Sequence, residues 1–129
     1  MHKIDASESP LIVMHTYEPI MKADMFAITG AGDELIAQGQ PFALVIVNDG
    51  GDGKDRERGA NAVLTQWVKD KKPALQRLCV GMASVVPTSA MLAFYGPLVK
   101  KVASTMYGFP FEMFTDVDDA RAWVSARLN

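Results

Sequence analysis

The sequence predicts one α/β domain that has a mostly parallel sheet of four to five strands and about four helices. Two observations lead to this prediction. Short apolar runs typical of buried strands alternate along the 129 residues with longer segments whose apolar residues recur every three or four positions. Glycine, proline and aspartate or asparagine separate most of these segments. Such alternation favours parallel strands joined by helical crossovers, with helices on the faces of the sheet.

The chain begins with a polar segment, residues 1–10, that ends in Ser9 and Pro10. This segment is interpreted as a loose terminus or a short edge strand, and it carries His2. Residues 11–18 follow as the first secure strand, which opens with an apolar run and ends before Pro19.

The first helix is predicted from residue 21 to a stop at Gly39. Its apolar stripe has spacings of four, three, four and three, and consists of Met21, Met25, Ile28, Gly32 and Leu35. Glycines at 30 and 32 make a break near residues 29–32 an alternative. If the helix is continuous, Gly32 allows it to lie close to the sheet.

The middle of the chain contains two buried-looking strands with a helix between them. Residues 42–47 are almost wholly apolar, as expected of a central strand covered on both faces, and residues 78–86 are similar. The intervening helix runs through residues 60–68 and is predicted to end at Pro73. The small residue Gly81 marks a place where a helix can pack closely on the second of these strands.

The last third of the chain predicts a long helix and then a strand followed by a helix. The long helix, residues 89–107, is capped by Thr88 or Ser89 and is expected to kink or restart at residues 96–97, Gly-Pro. Residues 111–114 form the final strand. Thr115 is the predicted N-cap of the final helix, which explains the nearby aspartates without catalysis.

Composition excludes several classes of protein. Thirteen basic and fifteen acidic residues give a net charge of -2 without a basic face, which argues against nucleic acid as a partner. The single cysteine, Cys79, excludes an intrachain disulfide and fits a reducing compartment. Neither a secretory signal nor a membrane-spanning run is recognisable, so we expect a cytoplasmic protein. Two histidines offer little for a metal site or a triad, and we expect no cofactor.

Three stretches of the sequence resemble the SpoIIAA-like, or STAS-like, family of small bacterial proteins. They are residues 40–47 (QPFALVIV), 77–87 (RLCVGMASVVP) and 114–124 (FTDVDDARAWV). The resemblance implies a STAS-like sheet with an antiparallel strand near the N-terminus. Family members of the anti-anti-sigma type are binding modules switched by phosphorylation of a serine or threonine just after the strand that corresponds to residues 42–47. Residues 48–53 contain neither, so that switch is not carried over.

The glycine-rich loop after residue 47 is the first candidate site, because ligands of open α/β sheets bind beyond the carboxyl ends of the strands. It matches neither a P-loop nor a calcium loop. A plain crossover loop is the alternative, and Asp49 is either a fixed charge or an ordinary turn residue. The candidate ligand or partner residues are Asn48, Asp49, Gly50, Gly51, Asp52 and Arg56.

A second candidate is an apolar surface or pocket under the helix of residues 89–107, with the alternative that these residues only fill the core and a dimer seam. Its members are Phe94, Tyr95, Leu98 and Tyr107. The chain also contains eight methionines, whose flexible side chains adapt to varied apolar partners.

Three functional hypotheses follow. The leading one is a non-catalytic regulatory or protein-interaction module, with a protein partner or a second copy of the chain in a homodimer. The second is a carrier or sensor of a small apolar or lipid-like ligand, by analogy with the sheet core of CRAL-TRIO lipid carriers. The third is an enzyme that uses Asp49, Asp52 and Arg56, which is the least favoured of the three.

Overall fold

A computed structural model describes residues 1–49, 55–93, 96–97, 101 and 108–128, with Asp49 described by its backbone alone. Its centre is a five-stranded sheet in which the strands are neighbours in chain order. The strands are β1 (His2–Glu8), β2 (Leu11–Tyr17), β3 (Phe42–Asp49), β4 (Cys79–Val85) and β5 (Phe111–Phe114). β1 is antiparallel to β2, and the other pairs are parallel. The predicted fold class and the antiparallel N-terminal strand are confirmed.

The helices cover both faces of this sheet. They are α1 (Lys22–Gln38), α2 (Ala60–Leu78) and α3 (Val117–Leu128), and residues 89–93 are also helical. α1 joins β2 to β3, and α2 joins β3 to β4, so successive crossovers of one hand place both helices on the same face. α3 packs on β3, β4 and β5 from the opposite side.

Alternation along each strand divides the core into two clusters, because successive side chains of a strand point to opposite faces. The cluster under α1 and α2 includes Ile12, Met14, Leu44 and Leu75. The cluster under α3 consists of side chains on the opposite face of the sheet together with residues of α3 itself. It includes Leu11, Val13, Val45, Val85, Ala120 and Val124. The central strand β3 is therefore covered on both faces, as predicted.

The N-terminal segment forms the edge strand that was one of the two predictions for it. The expectation that His2 lies on a loose terminus is wrong, because its Nδ1 lies 2.7 Å from Oδ1 of Asp24. The α-amino group of Met1 is 2.9 Å from the other oxygen of that carboxylate. The start of β1 is thus tied to the first turn of α1.

α1 is continuous through both of its interior glycines. Met21 precedes the helix and is 43% exposed. The prediction that it belongs to the apolar stripe of α1 is therefore wrong. The expectation that Gly32 lies against the sheet is also wrong: a Cβ built on it would be 2.6 Å from the ring of Trp67 on α2. The missing side chain brings the two helices together.

α2 does not end at Pro73 as predicted but continues to Leu78. A proline inside a helix removes one backbone hydrogen bond and costs roughly 3 kcal/mol in isolation. Leu75 and Leu78 beyond it are 1% and 6% exposed, so their burial holds the last turns in helical form. Tertiary packing here outweighs a local stop signal.

α3 begins one residue later than predicted. Oδ1 of Asp116, not the Thr115 hydroxyl, accepts hydrogen bonds from the backbone N–H groups of Asp118 and Asp119, at 2.7 and 3.4 Å. The capping interpretation of this acidic cluster is confirmed for Asp116. Gly81 lies under α3 as expected, since a Cβ there would be 3.3 Å from the Trp123 ring.

The predicted long helix of residues 89–107 is described only in part. Thr88 caps its start, because its Oγ1 accepts a hydrogen bond from the Met91 N–H at 3.1 Å. Gly96 and Pro97 have helical backbone, but their neighbours on both sides lie outside the described residues, so the predicted kink stays a prediction. No helix in the described ranges is long and apolar enough to cross a membrane.

Candidate functional site

A cavity of about 230 Å³ lies between the sheet and the helices α1 and α2. We call it the sheet–helix cavity. Its walls are mostly apolar side chains from β2, β3, β4 and both helices, with the rings of Phe109, which precedes β5, and Phe111, the first residue of β5. The described apolar lining consists of Met14, Met25, Ile28, Leu44, Ile46, Leu64, Trp67, Val68, Leu75, Met82, Phe109 and Phe111.

Three polar side chains from adjacent strands line the end of the cavity where the parallel strands finish. They are Thr16 of β2, Asn48 of β3 and Ser84 of β4, and we call them the polar row. Each follows an apolar residue two positions earlier on the same face, Met14, Ile46 and Met82 respectively. The cavity is therefore apolar along its length and polar at the carboxyl ends of the strands, where α/β sheets commonly bind ligands.

Hydrogen bonds fix the polar row. The Thr16 hydroxyl donates to Oδ1 of Asn48 at 3.1 Å. Nδ2 of Asn48 donates to Oγ of Ser84 and to the backbone carbonyl of Val85, both at 3.2 Å. Because a carbonyl can only accept, the Val85 bond settles which end of the Asn48 amide is nitrogen. Both amide hydrogens of Asn48 are thus used within the protein.

Arg56 adds a positive charge to the lining. Its position is set by a parallel bridge between Ile20 and Arg56, in which Ile20 N–H donates to the Asp55 carbonyl at 2.9 Å and Glu57 N–H donates to the Ile20 carbonyl at 2.7 Å. The guanidinium Nη1 donates to Oδ1 of Asn61 at 2.8 Å. Among the described lining residues, Arg56 is the one with a formal charge at neutral pH.

Trp67 forms part of the helical wall and is held in place from two sides. Its ring lies against Gly32 of α1, and its Nε1–H donates to Oδ1 of Asp33 at 2.7 Å. The second tryptophan, Trp123, lies on the other face of the sheet, under the guanidinium of Arg127 at 4.2 Å from the ring centroid. The two tryptophans therefore lie on opposite faces of the sheet, and the fluorescence of each one monitors its own face.

The structure brings two members of the predicted loop site together at the cavity, Asn48 and Arg56. Asp49 ends β3, and its side chain is outside the description. Gly50, Gly51 and Asp52 also lie outside the described residues, so the rest of the loop prediction stays a prediction. The observed role of Asn48 is to link three strands at the polar row rather than to extend into a loop.

The second candidate, the apolar surface of Phe94, Tyr95, Leu98 and Tyr107, falls wholly outside the described residues. An apolar cavity exists nonetheless, lined by α1 and α2. Among the methionines that the structure describes, Met14, Met25 and Met82 contribute to it. Their flexible side chains form part of the cavity wall, where they can adapt to the shape of an apolar occupant.

Sequence reasoning missed Thr16, Ser84 and Trp67 as members of a site. A signal for the first two was present, because each is the polar residue that ends an alternating apolar series on its strand. Aligning the carboxyl ends of the three parallel strands would have placed them beside Asn48. Trp67 gave no such signal, since its spacing in α2 fits ordinary core packing equally well.

Cys79, whose thiol is a potential nucleophile, is not among the described lining residues of the cavity. Burial raises the pKa of the Cys79 thiol to about 12, although the Gly81 carbonyl lies within hydrogen-bond distance of its Sγ. A thiol in that state is a poor nucleophile at neutral pH. Within the part of the chain that the structure describes, no group of three or more His, Cys, Asp or Glu side chains is arranged to hold a metal ion.

Comparisons with known proteins add little to this site. No protein-family model matches the sequence, and no curated protein matches it significantly. A solved structure of a probable enoyl-CoA hydratase/isomerase from Mycobacterium abscessus is similar to 98% of this chain over 75% of its own, at 8% identity and a TM-score of 0.47. A similarity at this level carries no inference about activity.

Proposed function

We propose that this protein is a non-enzymatic carrier or sensor of a small, largely apolar molecule, which binds in the sheet–helix cavity. The observation that carries the proposal is the cavity itself, about 230 Å³ in volume, apolar along its walls and polar at one end. This combination is the usual design of a small-molecule site, in which apolar walls supply affinity and a few polar groups fix orientation.

The volume sets the size of the ligand. An apolar cavity of about 150 Å³ in another protein binds benzene, so by proportion 230 Å³ accommodates roughly nine non-hydrogen atoms. Voids in buried sites cost roughly 24 cal/mol per Å³ of lost packing. An occupant that restores these contacts should therefore stabilise the fold as well as bind to it.

The described polar groups of the lining favour binding over chemistry. They are two hydroxyls, one amide and one guanidinium, from Thr16, Ser84, Asn48 and Arg56. Such groups donate and accept hydrogen bonds but do not exchange protons near neutral pH without a neighbouring base. This supports a carrier or sensor rather than an enzyme.

Fluorescence of Trp67 provides a direct test. In a Trp123→Phe variant, Trp67 is the remaining tryptophan and lies in the cavity wall. We expect titration with 1-octanol to change its emission saturably. In the reciprocal Trp67→Phe variant, the emission of Trp123 on the opposite face should stay constant, which separates binding in the cavity from a general solvent effect.

Filling the cavity should abolish this binding. Ile46→Phe enlarges a lining side chain of β3, and we expect the affinity for 1-octanol to fall by about tenfold or more because the occupant loses its space. Ile36→Phe is the matched control: it packs against the same core cluster but is not among the described lining residues. Equal affinities in both variants, or no saturable response in Trp123→Phe, would contradict the proposal.

A regulatory or protein-interaction role, as the family resemblance implies, is our second proposal. The observation that favours it is Phe26 on α1, whose side chain is 61% exposed. A single exposed ring is weaker support than a cavity, since isolated apolar residues are common on protein surfaces. Light scattering tests it, and a strict monomer in which Phe26→Gln changes nothing counts against self-association there.

A further inference from the structure

The strand β1 lies at one edge of the sheet, and β2 is its neighbour on the inner side. Met1 and Tyr17 exchange two backbone hydrogen bonds across these strands, at 2.8 and 2.7 Å. Because hydrogen-bonded pairs alternate along an antiparallel ladder, Lys3 and Asp5 also direct their backbone groups to β2. The backbone groups that face the outer edge, where no described strand pairs with them, belong to His2, Ile4 and Ala6.

The regular part of this outer edge is short. The register of β1 on β2 is irregular between Asp5 and Glu8, and the Ser9 N–H donates to the Ala6 carbonyl at 3.0 Å in the turn that follows. A further strand can therefore pair along residues 2–6 but not along the rest of β1.

The side chains on this edge are complementary in charge to those of a second copy of the same edge. Lys3 and Asp5 are two positions apart and so lie on one face of the sheet. In an antiparallel pair of β1 strands centred on Ile4, Lys3 of each copy lies directly opposite Asp5 of the other. A pair centred on Lys3 or on Asp5 would instead place like charges opposite each other, which is destabilising.

The register centred on Ile4 also satisfies the backbone. In this register, the N–H and C=O groups of Ile4 bond to those of the other Ile4, and the Ala6 N–H bonds to the His2 carbonyl in both directions. The groups that face the outer edge of β1 are the ones that this register uses. Charge and hydrogen bonding thus select the same register.

We propose that two copies of this chain associate through β1, antiparallel and centred on Ile4, so that their sheets join into one continuous sheet. A twofold axis closes the assembly at a dimer. The paired segment is smaller than a standard protein interface, so we expect a reversible dimer with a dissociation constant on the order of 100 μM. The inference does not depend on the cavity or its ligand.

The test is a charge exchange followed by sedimentation equilibrium, from about 10 μM to about 1 mM protein. Lys3→Glu and Asp5→Lys each place like charges opposite one another in the dimer, so each variant alone should dimerise about tenfold more weakly. An equimolar mixture of the two variants should regain the affinity of the wild type. In the mixed dimer the introduced glutamate faces the introduced lysine, and Lys3 of one chain faces Asp5 of the other.

Two further variants separate the backbone pairing from other surfaces. Ile4→Pro removes an N–H that faces the outer edge, a change that edge strands tolerate, and it should abolish the dimer. Phe26→Gln changes the exposed ring on α1 and should dimerise as the wild type does. Circular dichroism checks that each variant folds. Asp5→Lys also removes the acceptor of the Ser7 N–H, so Lys3→Glu and Ile4→Pro carry the test if it does not fold.

The outcomes are distinct from those of the cavity experiments. A wild-type protein that is monomeric at about 1 mM, roughly ten times the expected dissociation constant, would overturn the proposal. A dimer that neither Lys3→Glu nor Ile4→Pro weakens, or one that only Phe26→Gln removes, would overturn it as well. Binding of 1-octanol to the Trp123→Phe protein is expected in every one of these cases.

Discussion

Asp24 connects the first strand to the first helix. Its side chain is 10% exposed, and its two oxygens accept from the backbone N–H of Met21, the α-amino group of Met1 and, through Nδ1, His2. Burial raises the pKa of this carboxyl, but these hydrogen bonds and the amine charge outweigh burial and hold it at about 2, below its ordinary 3.8. The ionised form is therefore favoured by folding.

This pKa difference predicts a pH dependence of stability. Because the folded-state pKa is lowered, the stabilisation is fully present above pH 3.8 and is lost as the pH falls toward 2. Asp24→Asn should lower the free energy of unfolding by about 2 kcal/mol at pH 7. Urea unfolding at several pH values measures this, and the gap to the wild type should narrow below pH 4.

A control for this prediction is available on α2. Asp70 accepts one exposed hydrogen bond from Gln66, so Asp70→Asn should change stability by only a few tenths of a kcal/mol. A pH-independent gap between Asp24→Asn and the wild type would contradict the role assigned to the charge of Asp24.

At the scale of elements, the start of α3 provides the clearest test of a local assignment. Asp116→Ala should destabilise the protein by about 1 kcal/mol, because the N–H groups of Asp118 and Asp119 lose their acceptor. Thr115→Ala, at the position that sequence alone predicted as the cap, should have little effect. Thermal unfolding of the two variants decides between them, and a larger loss for Thr115→Ala would reverse the assignment.

The order of the elements followed from the sequence because periodicity and punctuation are local signals. Four strands, β2 to β5, and the positions of α1, α2 and α3 could be predicted in this way, whereas β1 was one of two alternatives for the first ten residues. The predictions that failed are those in which contacts with residues distant in sequence determine the local structure. Pro73 is tolerated because Leu75 and Leu78 are buried, and Gly32 meets Trp67, more than thirty residues away.

The candidate site was predictable only in part for the same reason. Asn48 and Arg56 could be nominated because the turn and loop that follow a buried strand mark the ligand end of an α/β sheet. The polar row also needs Thr16 and Ser84, which reach Asn48 only when three parallel strands are aligned in register. The cavity volume depends on the distance between the sheet and the helices α1 and α2. The sequence of one segment alone does not determine that distance.

At the scale of the whole molecule, the two faces of the sheet are different. α3 closes one face over small residues, with Gly81 and Ala83 beneath it and Ala120 and Val124 buried without exposure. On the other face, long side chains and two helices enclose a cavity. One face of the sheet is thus closely packed, and the other encloses the cavity in which we propose that a ligand binds.

The central claim is that a small apolar molecule occupies this second face, and methionine methyl NMR tests it most directly. Met14, Met25 and Met82 line the cavity, whereas Met21 is 43% exposed and lies outside its described lining. On addition of 1-octanol to methyl-labelled protein, we predict shifts in the resonances of the three lining methionines and none in Met21. Unchanged lining resonances, or shifts confined to Met21, would contradict the account.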